Sequence, residues 1–421
     1  AQWKIDQAGE GVLGFITNHS YLDNPTFRGM RQSLMNSFNE IYLLDLHGNS
    51  LKKEKCPDGS KDENVFDIQQ GVAIGLFIKK KGVKKECKAY HSEIWGLREK
   101  KYDLLLKNDM KTTKWKRISP KSEFYLFIPR DEKLLELYES YPKITDIFVV
   151  NSVGIVTARD NFVIDIDKET IKRRIRMFAD EKMPDELIRQ TFNLRDKSNW
   201  KLSVAREKLR KDANWQDSIT QILYRPFDTQ WIFYHDAVIE RARKQVMQHM
   251  LKENWGLITR RQMLSGQPCN YVFVSNHVIS DGVIRSDNKG SESLFPLYLY
   301  NEKNSSKEAA SVGQMLLFEP KNAYSAKKPN LSESFVAKLT KSLKKTPSPE
   351  QIFSYIYAVL YSNIYRTKYA DFLKVDFPRI PFTKDYKLFI KMAEYGNRLV
   401  ALHLLKSSEL DIPIARFQGK G

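Results

Sequence analysis

Glycines at positions 9, 11 and 14 give Gly9-Glu10-Gly11-Val12-Leu13-Gly14 the GxGxxG spacing of a loop that cradles a pyrophosphate. That chemistry requires a strand before the glycines and a helix after them, so that the helix amino terminus faces the phosphate. In this chain AQWKIDQ (1–7) reads as the last turns of a helix already under way, and VLGFIT (12–17) as a short buried strand. The order is inverted, and the glycines are expected to serve a turn.

Asn24-Pro25-Thr26-Phe27 offers a second possibility. An Asn side chain and a proline-flanked carbonyl can accept protons from the exocyclic amine of adenine, a poor nucleophile, while an aromatic stacks on the extruded base. Such a string should close a buried strand at its carboxyl edge. Here Tyr21-Leu22-Asp23 precedes it and a helix follows directly, so a structural role is expected. Nucleophile and metal constellations are as thin. The seven histidines (19, 47, 91, 235, 249, 277 and 403) have no HxxxH spacing, and no GxSxG or P-loop occurs. Cys56, Cys87 and Cys269 are odd in number and far apart, which excludes a disulfide framework or a CxxC site and fits a reduced, cytoplasmic compartment. No catalytic residue and no metal ligand is assigned.

What stands out is a set of polar loops beside apolar strands. NSVGIVTARDN (151–161) runs from a strand into a glycine turn carrying Thr157, Arg159, Asp160 and Asn161. YRPFDTQW (224–231) carries Arg225, Asp228 and Gln230, with Arg241 and Arg243 beyond it, and Arg260-Arg261-Gln262 follows the apolar run from Trp255. Arg and Gln pair bidentately with guanine and adenine edges, so these twelve side chains are the candidate DNA contacts, whereas Trp231 and Phe233 are expected in the core. Charge points the same way. Lys plus Arg number 69 against 51 Asp plus Glu, a net +18, and residues 168–212 hold 14 basic against 8 acidic side chains. A phosphate-contacting face on the two helices read there, 168–179 and 203–211, competes evenly with a plain solvated one.

These loops need a scaffold. IYLLDL (41–46) and VAIGLFI (72–78) read as buried strands and FRGMRQSLMNSF (27–38) as a helix, which suggests an α/β layer with a mainly parallel sheet. From Lys79 to Pro120 Lys and Glu dominate with few apolar positions in register, and a soft domain boundary falls near residue 118. Beyond it a larger mixed α+β domain is expected. Its clearest helix begins at Ser348-Pro349-Glu350, a cap followed by proline at the first position, with Ile352, Tyr355, Ile356, Val359 and Leu360 as an apolar stripe. A chain of 421 residues that is 42% hydrophobic can bury two or three cores. Its apolar runs fall well short of the roughly 18 residues that span a bilayer, and no membrane partner is expected.

The strings GVLGFITNHSYLDNPTFRGMRQSLMNSFNEIYLLDLHG (11–48) and NVFDIQQGVAIGLFIKK (64–80) resemble the second half of a gamma-class adenine-N6 DNA methyltransferase. VGIVTARDNFVID (153–165), YRPFDTQWIFYHDAVIERAR (224–243) and LFPLYLY (294–300) look like the carboxyl-terminal specificity region of type ISP restriction-modification enzymes. Such enzymes join nuclease, helicase, methyltransferase and target-recognition parts in one polypeptide. The resemblance implies that residues 1–118 are the carboxyl-terminal half of a Rossmann-like, S-adenosylmethionine-dependent methyltransferase domain, and residues 119–421 a target-recognition domain. It places Asn18 at the start of the loop beyond the strand that borders the cofactor, and Phe27 near the cofactor's adenine. The parent would methylate adenine N6 in a specific site on double-stranded DNA, with the base flipped. The cofactor's glycine loop and the Asn-Pro-Pro-aromatic motif do not occur in these 421 residues. The chain is therefore expected to be a carboxyl-terminal piece that binds DNA without methylating it, with the remainder of the parent polypeptide as a partner. Two alternatives stand beside this reading: a nucleic-acid-binding module of other ancestry, and a nuclease, which would need clustered carboxylates.

Overall fold

The computed structural model describes residues 1–83, 86–121, 123–263, 271–285, 291–300 and 327–412, so Cys269 lies outside the described residues. The chain divides into two compact units, the first Ala1–Leu137 and the second beginning at Tyr138.

In the first unit, helix α1 (Gln2–Ala8) stops at Gly9, whose φ of 79° lets its N–H return to the Ile5 carbonyl. Strand β1 (Gly11–Asn18) follows, so the glycine string ends a helix and opens a strand, as its order implied. The Asn24 side chain accepts from the Thr26 N–H at 2.9 Å and caps the short turn Pro25–Phe27 that leads into α2 (Arg28–Ser37). This Asn is a cap. Strands β2 (Glu40–Asp45), β3 (Val72–Lys79) and β4 (Lys88–Glu93), helix α3 (Arg98–Lys107) and strand β5 (Lys116–Ile118) complete the unit.

The sheet order is β1-β3-β2-β4-β5. β3 runs antiparallel to both β1 and β2, β2 and β4 are parallel, and β5 is antiparallel to β4. The expectation of a mainly parallel sheet fails, because β3 inserts in reverse between two strands that run the same way. A further consequence is that the carboxyl ends of β1, β2 and β4 lie along one edge of the sheet. β1 was expected to be buried, yet Val12, Phe15 and Ile16 are 66%, 58% and 53% exposed. The strand pairs with β3 alone among the described residues, so one side of it is left open. The Lys- and Glu-rich stretch conceals β4 and α3, since beside the small Ala89 their buried positions are His91 and Lys101. Past residue 118 the chain still belongs to this unit. Phe127 is fully buried and donates its N–H to the Leu22 carbonyl, and the buried Arg31 guanidinium binds the carbonyls of Tyr21, Asn24 and Phe124.

The second unit is mixed α+β. One four-stranded sheet has the order β12-β8-β9-β7, formed by β7 (Ile164–Asp165), β8 (Ile219–Arg225), β9 (Asp228–Phe233) and β12 (Val278–Ile279). A second, β11-β10-β13-β6, is formed by β6 (Ser152–Val153), β10 (Gly256–Thr259), β11 (Val272–Ser275) and β13 (Ser293–Pro296). Asp167 caps the helix Lys168–Ala179, and its Ile171, Ile175 and Phe178 are fully buried while the arginines between them face outward or sideways. Ser348 caps the helix Pro349–Tyr361 with a reciprocal bond from Gln351, as its sequence implied. Every residue from Ile352 to Leu360 is buried, so this helix is enclosed all round rather than along one stripe. Gly396 of the helix Tyr386–His403 makes that possible. A Cβ there would collide with the Ser354 carbonyl oxygen. Among the described residues no helix is long and apolar enough to cross a membrane.

Candidate nucleic-acid interface

The loop at 157–161 is built around its own polar groups. The Thr157 hydroxyl donates to the Asp160 carboxylate, the Arg159 N–H donates to the Thr157 oxygen, and the Tyr224 hydroxyl reaches Asp160 Oδ2 at 3.1 Å. Arg159 is 9% exposed. Its guanidinium donates to the carbonyls of Thr157 and Val238, lies 3.7 Å over the Trp200 ring and approaches Glu240 at 3.6 Å. Burial pulls its pKa below the usual arginine value. Thr157, Arg159 and Asp160 thus fasten this loop to the β8–β9 hairpin and to Trp200. Thr157 and Arg159 are buried, whereas Asp160 is half-buried.

Asn161 is exposed, beside a cavity of about 540 Å³ that Asn193, Arg195 and Lys197 also line. These three were not singled out by sequence, because they fall between the two basic helices, where no periodic spacing marks them.

β8 and β9 form a hairpin whose register shifts between Leu223 and Arg225, with Arg225 paired to Asp228 and the turn closed by Pro226 and Phe227. Phe227 is 53% exposed with φ of 64°, a left-handed conformation that a bulky residue rarely adopts. The Arg225 guanidinium folds back onto the Tyr224 carbonyl at 2.6 Å and lies 4.4 Å over its ring. Gln230 donates to both oxygens of Asp228. Phe233 is fully buried, as expected, and Trp231 packs partly against the same core. Arg241 is exposed, and its backbone exchanges hydrogen bonds with Val156, so the 157–161 loop, the hairpin and Arg241 form one connected surface. Arg243 is half-buried at φ 53°, and its Nε is buried without a hydrogen-bond partner.

The third group diverges. Arg260 is 4% exposed and faces the buried Glu292 at 3.3 Å, whose carboxyl burial pushes up. Arg261 and Gln262 are exposed, the first paired with Asp376 at 2.9 Å and the second donating to the Val375 carbonyl. Arg159 and Arg260 therefore lie inside the unit. Arg225, Arg241, Arg261 and Gln262 lie at or near its surface.

In the first unit, the Asn18 side chain accepts from the Ser20 N–H and hydroxyl, and Phe27 stands 36% exposed at the start of α2. Next to Asn18 is a cluster that sequence spacing did not reveal. His19 Nδ1 lies 3.0 Å from Asp45 Oδ1, and His47 Nδ1 lies 3.7 Å from Asp45 Oδ2 and 3.1 Å from Glu54 Oε1. Burial lowers the His47 pKa, but hydrogen bonds to Glu54 and Glu93 and the charge of Asp45 outweigh it and raise the value to about 9. Only the pairing of β1 and β2 with β3 brings position 19 beside positions 45 and 47, and no linear motif records that.

The second unit is thus a mixed α+β unit whose arginine- and amide-bearing loops sit beside small sheets. Residues 146–421 match the family described as the Type ISP C-terminal specificity domain, and the chain belongs to that family. Among curated proteins none matches. Its fold is similar to that of three solved structures. One is the DrdV–DNA complex (22% identity, TM-score 0.62, covering 96% of this chain and 39% of that one). Another is a nuclease-deletion mutant of the Type ISP restriction-modification enzyme LlaGI with a DNA substrate mimic (23%, 0.58, 94% and 35%). The third is the ATP-dependent Type ISP enzyme LlaBIII bound to DNA (22%, 0.63, 96% and 26%). The chain spans well under half the length of each.

Proposed function

We propose that this chain recognises a specific site in double-stranded DNA as the specificity portion of a cytoplasmic restriction-modification enzyme. The observation that carries the reading is the surface joining the 157–161 loop, the β8–β9 hairpin and Arg241, flanked by the cavity with Asn161, Arg195 and Lys197. Family membership and the DNA bound to the three similar structures support it. Exposed arginines and amides can position phosphates and read base edges, each good bidentate pair discriminating by about 1–3 kcal/mol. Selection of duplexes from a randomised library on the purified chain tests this: a single enriched motif is expected, and enrichment of none would refute sequence recognition.

The parent activity is proposed to be S-adenosylmethionine-dependent methylation of adenine N6. The sheet in which a reversed β3 separates like-directed β1 and β2 supports it, as does the resemblance of residues 11–80. Asn18 and Phe27 fit the cofactor only as one rim. The Asn18 amide is already engaged by Ser20, and two side chains cannot enclose the cofactor, so no methyl-transfer step is derived for this chain. The open side of β1, with Phe15 and Ile16 exposed, would receive the remainder of the parent polypeptide. Radiolabelled methyl transfer by the purified chain is expected to be undetectable, and a measurable rate would overturn this division of labour.

A further inference from the structure

The shared edge at the carboxyl ends of β1, β2 and β4 gathers side chains that DNA recognition does not use. We propose that His19, Asp45 and His47, completed by Glu54, form a structural binding site for a first-row divalent cation, with Zn²⁺ the ion best matched to the donors.

Three of these donors already converge, and Glu54 borders them at His47. One donor atom each from His19, Asp45 and His47 lies within 4.8 Å of the others. His19 Nδ1 stands 3.0 Å from Asp45 Oδ1, and His47 Nδ1 stands 3.7 Å from Asp45 Oδ2 and 3.1 Å from Glu54 Oε1. A tetrahedral ion with ligands at about 2.0–2.1 Å spaces its donors roughly 3.3 Å from one another. Small side-chain shifts are enough to admit it. Two imidazoles and two carboxylates suit a borderline ion rather than Mg²⁺ or Ca²⁺, which take oxygen. Charge balances as well: Asp45 and Glu54 bring two negative charges into a place nearly closed to water, and one divalent cation neutralises both.

The outer partners are in place. The far nitrogen of His47, Nε2, faces Glu93 at 3.4 Å, the carboxylate–histidine arrangement that orients a metal-bound imidazole. Asp45 Oδ1 accepts the His47 N–H, Glu54 Oε2 accepts the Asn49 N–H, and the Asn49 amide lies 3.3 Å from His19 Nε2. His19 is held against Gly71, where a Cβ would collide with its ring, and Trp95 stacks on His47 at 3.3 Å between centroids. A separate observation is His91. It is 3% exposed, pairs in register with Leu43 on the face that Asp45 shares, and its buried Nε2 has no hydrogen-bond partner. With Glu54 drawn in as the fourth donor no open position would remain, so the ion would pin β1, β2 and the loop after β2 together instead of doing chemistry.

The test uses the chain freed of metal with a chelator and titrated with Zn²⁺ or Co²⁺. One equivalent is expected to bind, raising the thermal midpoint. Co²⁺ should give the visible absorption of a tetrahedral site without the near-ultraviolet thiolate band that Cys56 would add. Asp45→Asn and His47→Gln should abolish binding. Because those side chains are buried, the half-exposed Glu93 supplies a variant that keeps the fold: Glu93→Gln should weaken binding about 10–100-fold. No binding, a thiolate band, or affinity unchanged in Glu93→Gln would overturn the site.

Discussion

Lys101 and Asp62 meet at 2.7 Å with neither side chain exposed to any degree. The ammonium also donates to the carbonyls of Leu46 and Glu63, and the carboxylate accepts the N–H groups of Gly48 and Gly96. One ion pair thus ties α3 to the start and the interior of the long loop between β2 and β3. Removing one partner leaves a buried charge, so Lys101→Met should cost about 3–5 kcal/mol in urea unfolding. Asp62→Asn should cost a similar amount, and the double variant less than the sum, because the two groups share one network.

Arg159 and Arg241 look alike in sequence and should behave differently. Arg159 is enclosed between Trp200, Glu240 and two carbonyls, so Arg159→Ala should lower stability by about 2–4 kcal/mol through lost hydrogen bonds and packing. Arg241→Ala should leave the thermal midpoint nearly unchanged and weaken DNA binding. Thermal unfolding beside a binding titration separates the two, and the opposite pattern would move the proposed surface elsewhere.

Asp376 gives a pH signature. Burial raises its pKa, but Lys143 at 2.6 Å and Arg261 at 2.9 Å outweigh that and hold it below the usual carboxylate value. A carboxyl whose folded pKa is depressed contributes stability above its unfolded pKa, near 3.9, and loses it as pH falls through the folded value. Acid unfolding should therefore begin below about pH 4 for this contribution. Asp376→Asn should cost about 1.5–3 kcal/mol at pH 7 and flatten the acid limb in denaturant titrations taken from pH 7 to pH 2.

Gly396 is a packing prediction. The helices Pro349–Tyr361 and Tyr386–His403 approach so closely that a methyl group at 396 meets the Ser354 backbone. Gly396→Ala should force them apart and cost about 1–3 kcal/mol despite its better helix propensity, read by thermal unfolding.

Local signals were legible in the sequence where one residue decides one feature. Ser348-Pro349 announced a helix start, Gly9 a helix end, and the Ile171, Ile175 and Phe178 spacing a buried face. What pairing decides was not legible. β3 reverses between its neighbours, and nothing in VAIGLFI states its direction. β1 looked like a buried strand because its composition is apolar, but composition cannot report that one side stands open. Arg159 and Arg260 looked like surface readers, since a guanidinium in a loop carries no mark of the Trp200 or Glu292 that receives it. The compact unit likewise runs on past residue 118, because Arg31 and Leu22 hold Phe124 and Phe127 across a long sequence gap.

The buried cations change what ionic strength will measure. Arg31, Lys101, Arg159, Arg206 and Arg260 are all interior, where they meet carbonyls and carboxylates of the chain itself. A formal charge of +18 therefore overstates the polycation that a duplex encounters. Each phosphate neutralised by the protein releases condensed counterions, and log K falls with log salt by about 0.9 per contact. That slope will count only cations that reach solvent, so it measures the width of the footprint on DNA rather than the basicity of the polypeptide.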